Sequence, residues 1–188
     1  MRSRFAFEKM PLLVLTVFLL FVLSACGGGK VIKSDPVAEG SGKPSTQSAK
    51  KETQTEHARD GRFIAYDNGT VRDTRTGLMW AANDNGSNIN WANARSFCKD
   101  YRGGGYTDWR MPTQDELAGL YDATKNYNVA CGYVVHLTEL IHFTCMAAWA
   151  SETSGSNAAY FNINDSRRAW RPQSEVGYFR VLPVRSGK

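Results

Sequence analysis

Every tryptophan and every tyrosine of this chain lies at or beyond residue 66. Trp80, Trp91, Trp109, Trp149 and Trp170 are there with all eight tyrosines. The stretch from Gly27 to Arg59 has no aromatic residue and only scattered aliphatics such as Val31, Ile32 and Val37. A packed core needs large apolar side chains, so the break confines the core to 60–188. At about 130 residues, that segment suits one domain. The segment 26–59 is rich in Ser, Thr, Lys, Gln and Glu, and buries too little to offset the entropy of ordering. It reads as a flexible tether.

Ahead of the tether stands an apolar run from Met10 to Leu23, led by Arg2, Arg4 and Lys9 and broken only by Pro11 and Thr16. Its 14 residues fall short of the roughly 20 needed to cross a bilayer and fit a secretory signal. Leu23-Ser24-Ala25-Cys26 closes the run with small residues and a cysteine. The pattern resembles the lipobox of bacterial lipoproteins, which implies removal of residues 1–25 and lipidation of Cys26. The chain is therefore expected in the bacterial cell envelope, held to the membrane through its N-terminal lipid. Gly27 in place of an aspartate after the anchor points to the outer membrane.

The whole chain carries a net charge of +5, but residues 60–188 hold 14 basic and 13 acidic side chains. A domain this close to neutral gives no case for a nucleic-acid partner. Along it, short extended pieces joined by Asp67-Asn68-Gly69 and Thr76-Gly77 read as hairpins. Asn90 is placed to cap a helix whose face is Trp91, Ala94, Phe97, Cys98 and Tyr101, ended by Gly103-Gly104-Gly105. Thr113 with Glu116 makes a capping box for a second helix carrying Leu117, Leu120 and Tyr121 inward. One short helix is expected between Cys131 and Cys145. Four strands follow, at 148–152, 159–164, 169–171 and 178–184. Two main helices and a late antiparallel β region make an α+β domain.

With Cys26 lipidated, three cysteines remain in a compartment that permits disulfides. Cys131 and Cys145 bracket a short apolar loop, and a bridge between them with Cys98 unpaired is the expected arrangement. A pairing that uses Cys98 is one rival. A zinc site of Cys131, His136, His142 and Cys145 is another, although its spacing lacks the tight steps that clamp zinc.

Gly77-Leu78-Met79-Trp80, Trp91-Ala92-Asn93-Ala94, Asp108-Trp109-Arg110-Met111-Pro112-Thr113, Trp149-Ala150-Ser151-Glu152 and Leu182-Pro183-Val184-Arg185 occur in that order. Together they resemble the Lcl C-terminal domain family over about residues 62–186. The resemblance implies a C-type-lectin-like fold of the kind shared with formylglycine-generating enzymes. It also implies extracellular ligand binding, with sulfated glycans bound by the collagen-like adhesin members. The Gly-x-y stretch of those adhesins is not in this sequence, so the resemblance does not by itself imply the trimerisation and adhesion linked to that stretch.

No nucleophile elbow, phosphate loop or close pair of catalytic carboxylates stands out, and nothing calls for a cofactor or a metal. Asn83-Asp84-Asn85-Gly86 lacks calcium-loop spacing and reads as a turn. Binding is the expected work. If Phe161, Ile163, Phe179 and Val181 face the core, alternation turns Tyr160, Asn162, Asn164, Tyr178 and Arg180 to the other face. Arg167, Arg168, Trp170 and Arg171 lie between those strands. Arginine forks match sulfate and carboxylate, and an aromatic ring covers the apolar face of a sugar. The expected ligand site is Tyr160, Arg167, Arg168, Trp170, Arg171, Tyr178 and Arg180. An anionic glycan is the expected ligand; the first alternative is a structural or assembly role with a protein partner at the same face, and the second a divergent oxidase or envelope hydrolase.

Overall fold

The computed structural model describes residues 54–188. The signal segment 1–25, the lipidation site Cys26 and the tether as far as residue 53 lie outside the described residues. What is described is α+β, with two short helices and mostly antiparallel sheet.

A five-stranded antiparallel sheet is built from β1 (Glu56–Asp60), β2 (Phe63–Tyr66), β3 (Thr70–Asp73), β4 (Leu78–Ala81) and, from the chain's end, β11 (Val184–Ser186). Its order is β1-β2-β3-β4-β11. The hairpins turn where Asn-Gly and Thr-Gly predict. Gly69 at φ +77° and Gly77 at φ +73° supply the left-handed residue. Strand β1 is a correction at the boundary, because four of its five residues fall within the segment assigned to the tether. A polar strand can still complete a ladder through its backbone, and Asp60 pairs with Phe63 across Gly61. Only Ala58 reaches the core.

Helix α1 (Trp91–Asp100) starts where Asn90 accepts from the Asn93 N–H at 2.9 Å. It buries Ala94 and Cys98, with Trp91 and Phe97 half-buried beside them. Helix α2 (Gln114–Ala118) has the expected reciprocal cap, Thr113 bonding the Glu116 N–H and Glu116 bonding back. Leu117 and Leu120 go into the main core.

Between the cysteines the expected helix is absent, a second correction. The segment forms turns and strand β6 (Val134–Val135), paired with β5 (Tyr127–Asn128). Its backbone donors are taken by other elements, the His136 N–H by the Ile163 carbonyl at 3.2 Å and the His142 N–H by the Ala82 carbonyl at 2.8 Å. The bridge itself is as expected, with Cα atoms 5.2 Å apart and Cys98 free and buried. Both sulfurs are thereby withdrawn from any zinc set with His136 and His142.

The second sheet has the order β10-β7-β8-β9, from β7 (Ala147–Ser154), β8 (Asn157–Asn162), β9 (Arg167–Pro172) and β10 (Phe179–Arg180). The run 178–184, read as one strand, is two. β10 lies parallel to β7, and Pro183, with no N–H to give, separates it from β11 in the other sheet. This sheet is covered on both sides. Ala148, Ala150, Phe161 and Ile163 enter the main core, while Trp149, Ala158, Tyr160 and Phe179 form a second cluster with Ala94 and Cys98 of α1.

Candidate functional site

Alternation along β8 and β9 is real, but only one of the residues expected to turn outward is open to water. Tyr160 is shut in, packed edge-on to Trp149 and Phe179. Asn162 is buried too. Arg180 is 7% exposed and bonded internally, giving Nε to Thr144 Oγ1 at 2.6 Å and Nη1 to Asn88 Oδ1 at 2.5 Å. Tyr160 and Arg180 are therefore corrected: neither stands on an open binding face. The second apolar cluster under α1 claims the face that a two-layer reading leaves to solvent.

The β9 residues divide by the period of a strand. Arg167, Ala169 and Arg171 point to the α1 side, opposite Asn162, Tyr160 and Ala158 in the register. Arg168 and Trp170 point to the other side. There Arg168 bonds the Asp115 carboxylate at the start of α2, and Trp170 stays half in solvent. The expected cluster is thus split across the sheet.

On the α1 side the split leaves a working constellation. A cleft of about 230 Å³ is bounded by Arg167, Arg171, Glu175 and Tyr178, over a floor that includes Tyr160, Met146 and Ala147. Arg171 is exposed. Arg167 has only Asp165 near it, 3.8 Å away and well hydrated, a contact that costs little to exchange. Two guanidiniums thus face one cleft carboxylate. Tyr178 is 54% exposed, and the ring of Tyr133 meets it edge-on at 6.0 Å.

Tyr133 is the residue the sequence reading missed. It stands two residues after Cys131, in a turn held by the bridge to Cys145 and by the Cys131 N–H bonded to the Thr144 carbonyl at 3.3 Å. An aromatic residue next to a bridged cysteine was the available signal. The second omission is Asp84, read as part of a plain turn. Its carboxylate is buried and accepts from Gly86 N–H at 2.7 Å, from Thr144 N–H at 2.7 Å and from the Thr144 hydroxyl. Burial pushes its carboxyl above the ordinary range, and those bonds and the Arg180 charge pull it back only in part.

Several side chains of types that carry chemistry elsewhere are committed to contacts. Glu116 holds Arg110 in a two-point bond at 2.6 and 2.8 Å. Glu152 accepts from the Gln114 N–H at 2.9 Å, and His136 Nδ1 lies 2.8 Å from the Lys125 carbonyl. What remains at the cleft is arginine forks beside tyrosine faces, an arrangement that holds anions next to flat apolar surfaces.

The family model of the Lcl C-terminal domain matches residues 69–185, more than half of the chain, from the β2–β3 turn into β11. No curated protein matches the chain.

Proposed function

The chain belongs to the Lcl C-terminal domain family, and from that premise we propose that it is a non-catalytic recognition protein of the bacterial cell envelope. Cys26 carries the lipid that anchors it, at the outer membrane, and the domain after the polar N-terminal segment does the binding. The domain is read as C-type-lectin-like, a reading supported by the return of the terminal strand β11 against β4. The ligand is an anionic glycan, with sulfated chains first.

One observation carries the reading. Arg167, Arg171 and Tyr178 line a single cleft, with Tyr133 against Tyr178. A sulfate fits the fork of a guanidinium, and the face of the attached sugar fits a tyrosine ring. The lack of a catalytic role is supported by the engagement of Glu116, Glu152, His136 and both bridged cysteines in structural contacts. A glycan array probed with the purified protein tests the proposal. Signal on sulfated glycans that vanishes on their desulfated counterparts supports it; an array blank for anionic glycans rejects it.

A further inference from the structure

A second recess lies apart from that cleft, and neither the sequence reading nor the family match accounts for it. The groove, about 740 Å³, runs between α1, the Trp109–Thr113 segment and β7. Its α1 wall is Trp91, Arg95 and Lys99, one residue per turn of the same stripe. Met111 and Trp109 contribute to its floor, and Ser151 and Thr153 stand opposite.

The β7 wall is fixed in place. The register of β7 against β8 slips between Trp149 and Thr153, and the slack residues are tied by other elements. Trp91 Nε1 donates to the Ala150 carbonyl at 2.8 Å, and the Ser151 N–H donates to the Pro112 carbonyl at 2.8 Å. A bulge held this way presents a preformed surface, which lowers the ordering cost of binding.

The groove's chemistry is specific. Among the described residues Arg95 and Lys99 have no carboxylate partner, and no acidic side chain lines the groove. Both indole N–H groups are spent internally, Trp109 Nε1 on the Gly103 carbonyl and Trp91 Nε1 on Ala150. Trp109 is buried at 4% exposure, so the aromatic surface of the groove is the Trp91 ring, with the Arg95 guanidinium 5.8 Å from its centroid. The lining has no Asn, Asp, Gln or Glu with which to sort sugar hydroxyls. Cations one helical turn apart are separated by about 6 Å, close to the spacing of alternate side chains on an extended peptide.

We propose that the groove docks an extended acidic–apolar peptide segment of a protein partner. Carboxylates on alternate residues meet Arg95 and Lys99, and the intervening apolar side chains lie on Trp91 and Met111. The proposal does not rest on glycan binding at the β9 cleft.

The test titrates the full purified chain with a capped hexapeptide of alternating glutamate and leucine, followed by calorimetry and tryptophan fluorescence. One-to-one binding is expected. It weakens about tenfold or more in Arg95→Ala/Lys99→Ala, two exposed positions whose loss leaves the far-ultraviolet circular dichroism unchanged. Arg167→Ala/Arg171→Ala binds the peptide as the parent does, which keeps this test separate from the glycan cleft. A lysine–leucine hexapeptide does not bind. The proposal is overturned by no binding of the acidic peptide, or by equal binding in Arg95→Ala/Lys99→Ala. It is also overturned if a heparin hexasaccharide displaces the peptide from the parent protein, because the groove is then a glycan site.

Discussion

Arg180 and Asp84 meet in the interior, the guanidinium Nε 3.9 Å from the carboxylate, with side chains 8% and 1% exposed. Thr144 stands between them, its hydroxyl accepting from Arg180 at 2.6 Å and donating to Asp84 at 3.0 Å. Asn85 adds a further tie, its side-chain oxygen accepting from the Val181 N–H at 2.9 Å. The Asn83–Gly86 turn is thus pinned to the strand that leads into β11.

Removing one partner of such a pair strands the other charge. Arg180→Ala is expected to lower the unfolding free energy by about 3 kcal/mol in a denaturant titration. Asp84→Asn costs less, because burial already disfavours that carboxylate and the amide oxygen can still accept from Gly86. Parent-like stability in Arg180→Ala would show that the pair does not support the fold.

The acid side of the stability curve has a calculable sign. The Lys125 ammonium holds the Asp60 carboxyl below its ordinary value of 3.8, and Arg185 does the same for Asp108. Burial pushes Glu116 upward, but the Arg110 pair and the Thr113 cap prevail and hold it below 4.5. Groups lowered on folding contribute stability that is complete above the ordinary value and lost as the pH falls through the lowered one. Asp84, raised on folding, acts oppositely: its penalty appears as the pH rises above 3.8. Asp122 is held low as well, by its bonds from Thr124, so lowered carboxyls prevail and the melting temperature is expected to drop below about pH 4. Glu116→Gln should melt lower than the parent at pH 7 and converge with it in acid. A constant gap across the range would contradict the linkage.

Thiol chemistry separates the three cysteines of the domain. Burial pushes the Cys98 thiol up to about 12, so a maleimide is expected to label no cysteine of the native protein and one after denaturation without reductant. Cys131→Ser/Cys145→Ser opens a loop with a sequence separation of 14 and should lose about 3 kcal/mol of stability. Prompt native labelling would mean that Cys98 is accessible or that the bridge is open.

Tyr133 offers a test of the cleft that leaves its cations alone. It is exposed and touches Tyr178 by an edge. Tyr133→Ala is expected to weaken binding of a sulfated oligosaccharide several-fold, by about the 1 kcal/mol of an aromatic contact, with an unchanged melting temperature. Unaltered affinity would remove the tyrosine pair from the site.

Local instructions were legible in the sequence wherever one residue suffices to act. The Asn90 cap, the Thr113–Glu116 box and the glycine turns at Gly69 and Gly77 each need only a neighbour a few residues away. The bracketing of an apolar loop by Cys131 and Cys145 was legible in the same way. Placement of Tyr160 and Arg180 was not, because alternation divides a strand into two faces without saying what covers each one. Here α1 covers the second. The bond between Arg180 and Asn88 spans 92 positions, and no spacing rule reaches that far. Strand β1 was hidden for a different reason, since its pairing belongs to the backbone and its side chains are those of a linker.

Elution from immobilised heparin in a sodium chloride gradient tests the central claim most directly. The parent protein is expected to bind. Arg167→Ala/Arg171→Ala should elute at much lower salt, with affinity reduced about tenfold or more, as the loss of two charged hydrogen-bond donors requires. Arg168→Ala should elute close to the parent, its guanidinium lying on the opposite face of the sheet from the cleft. Failure of the parent to bind, or co-elution of Arg167→Ala/Arg171→Ala with it, would contradict an anionic-glycan site at the β9 cleft.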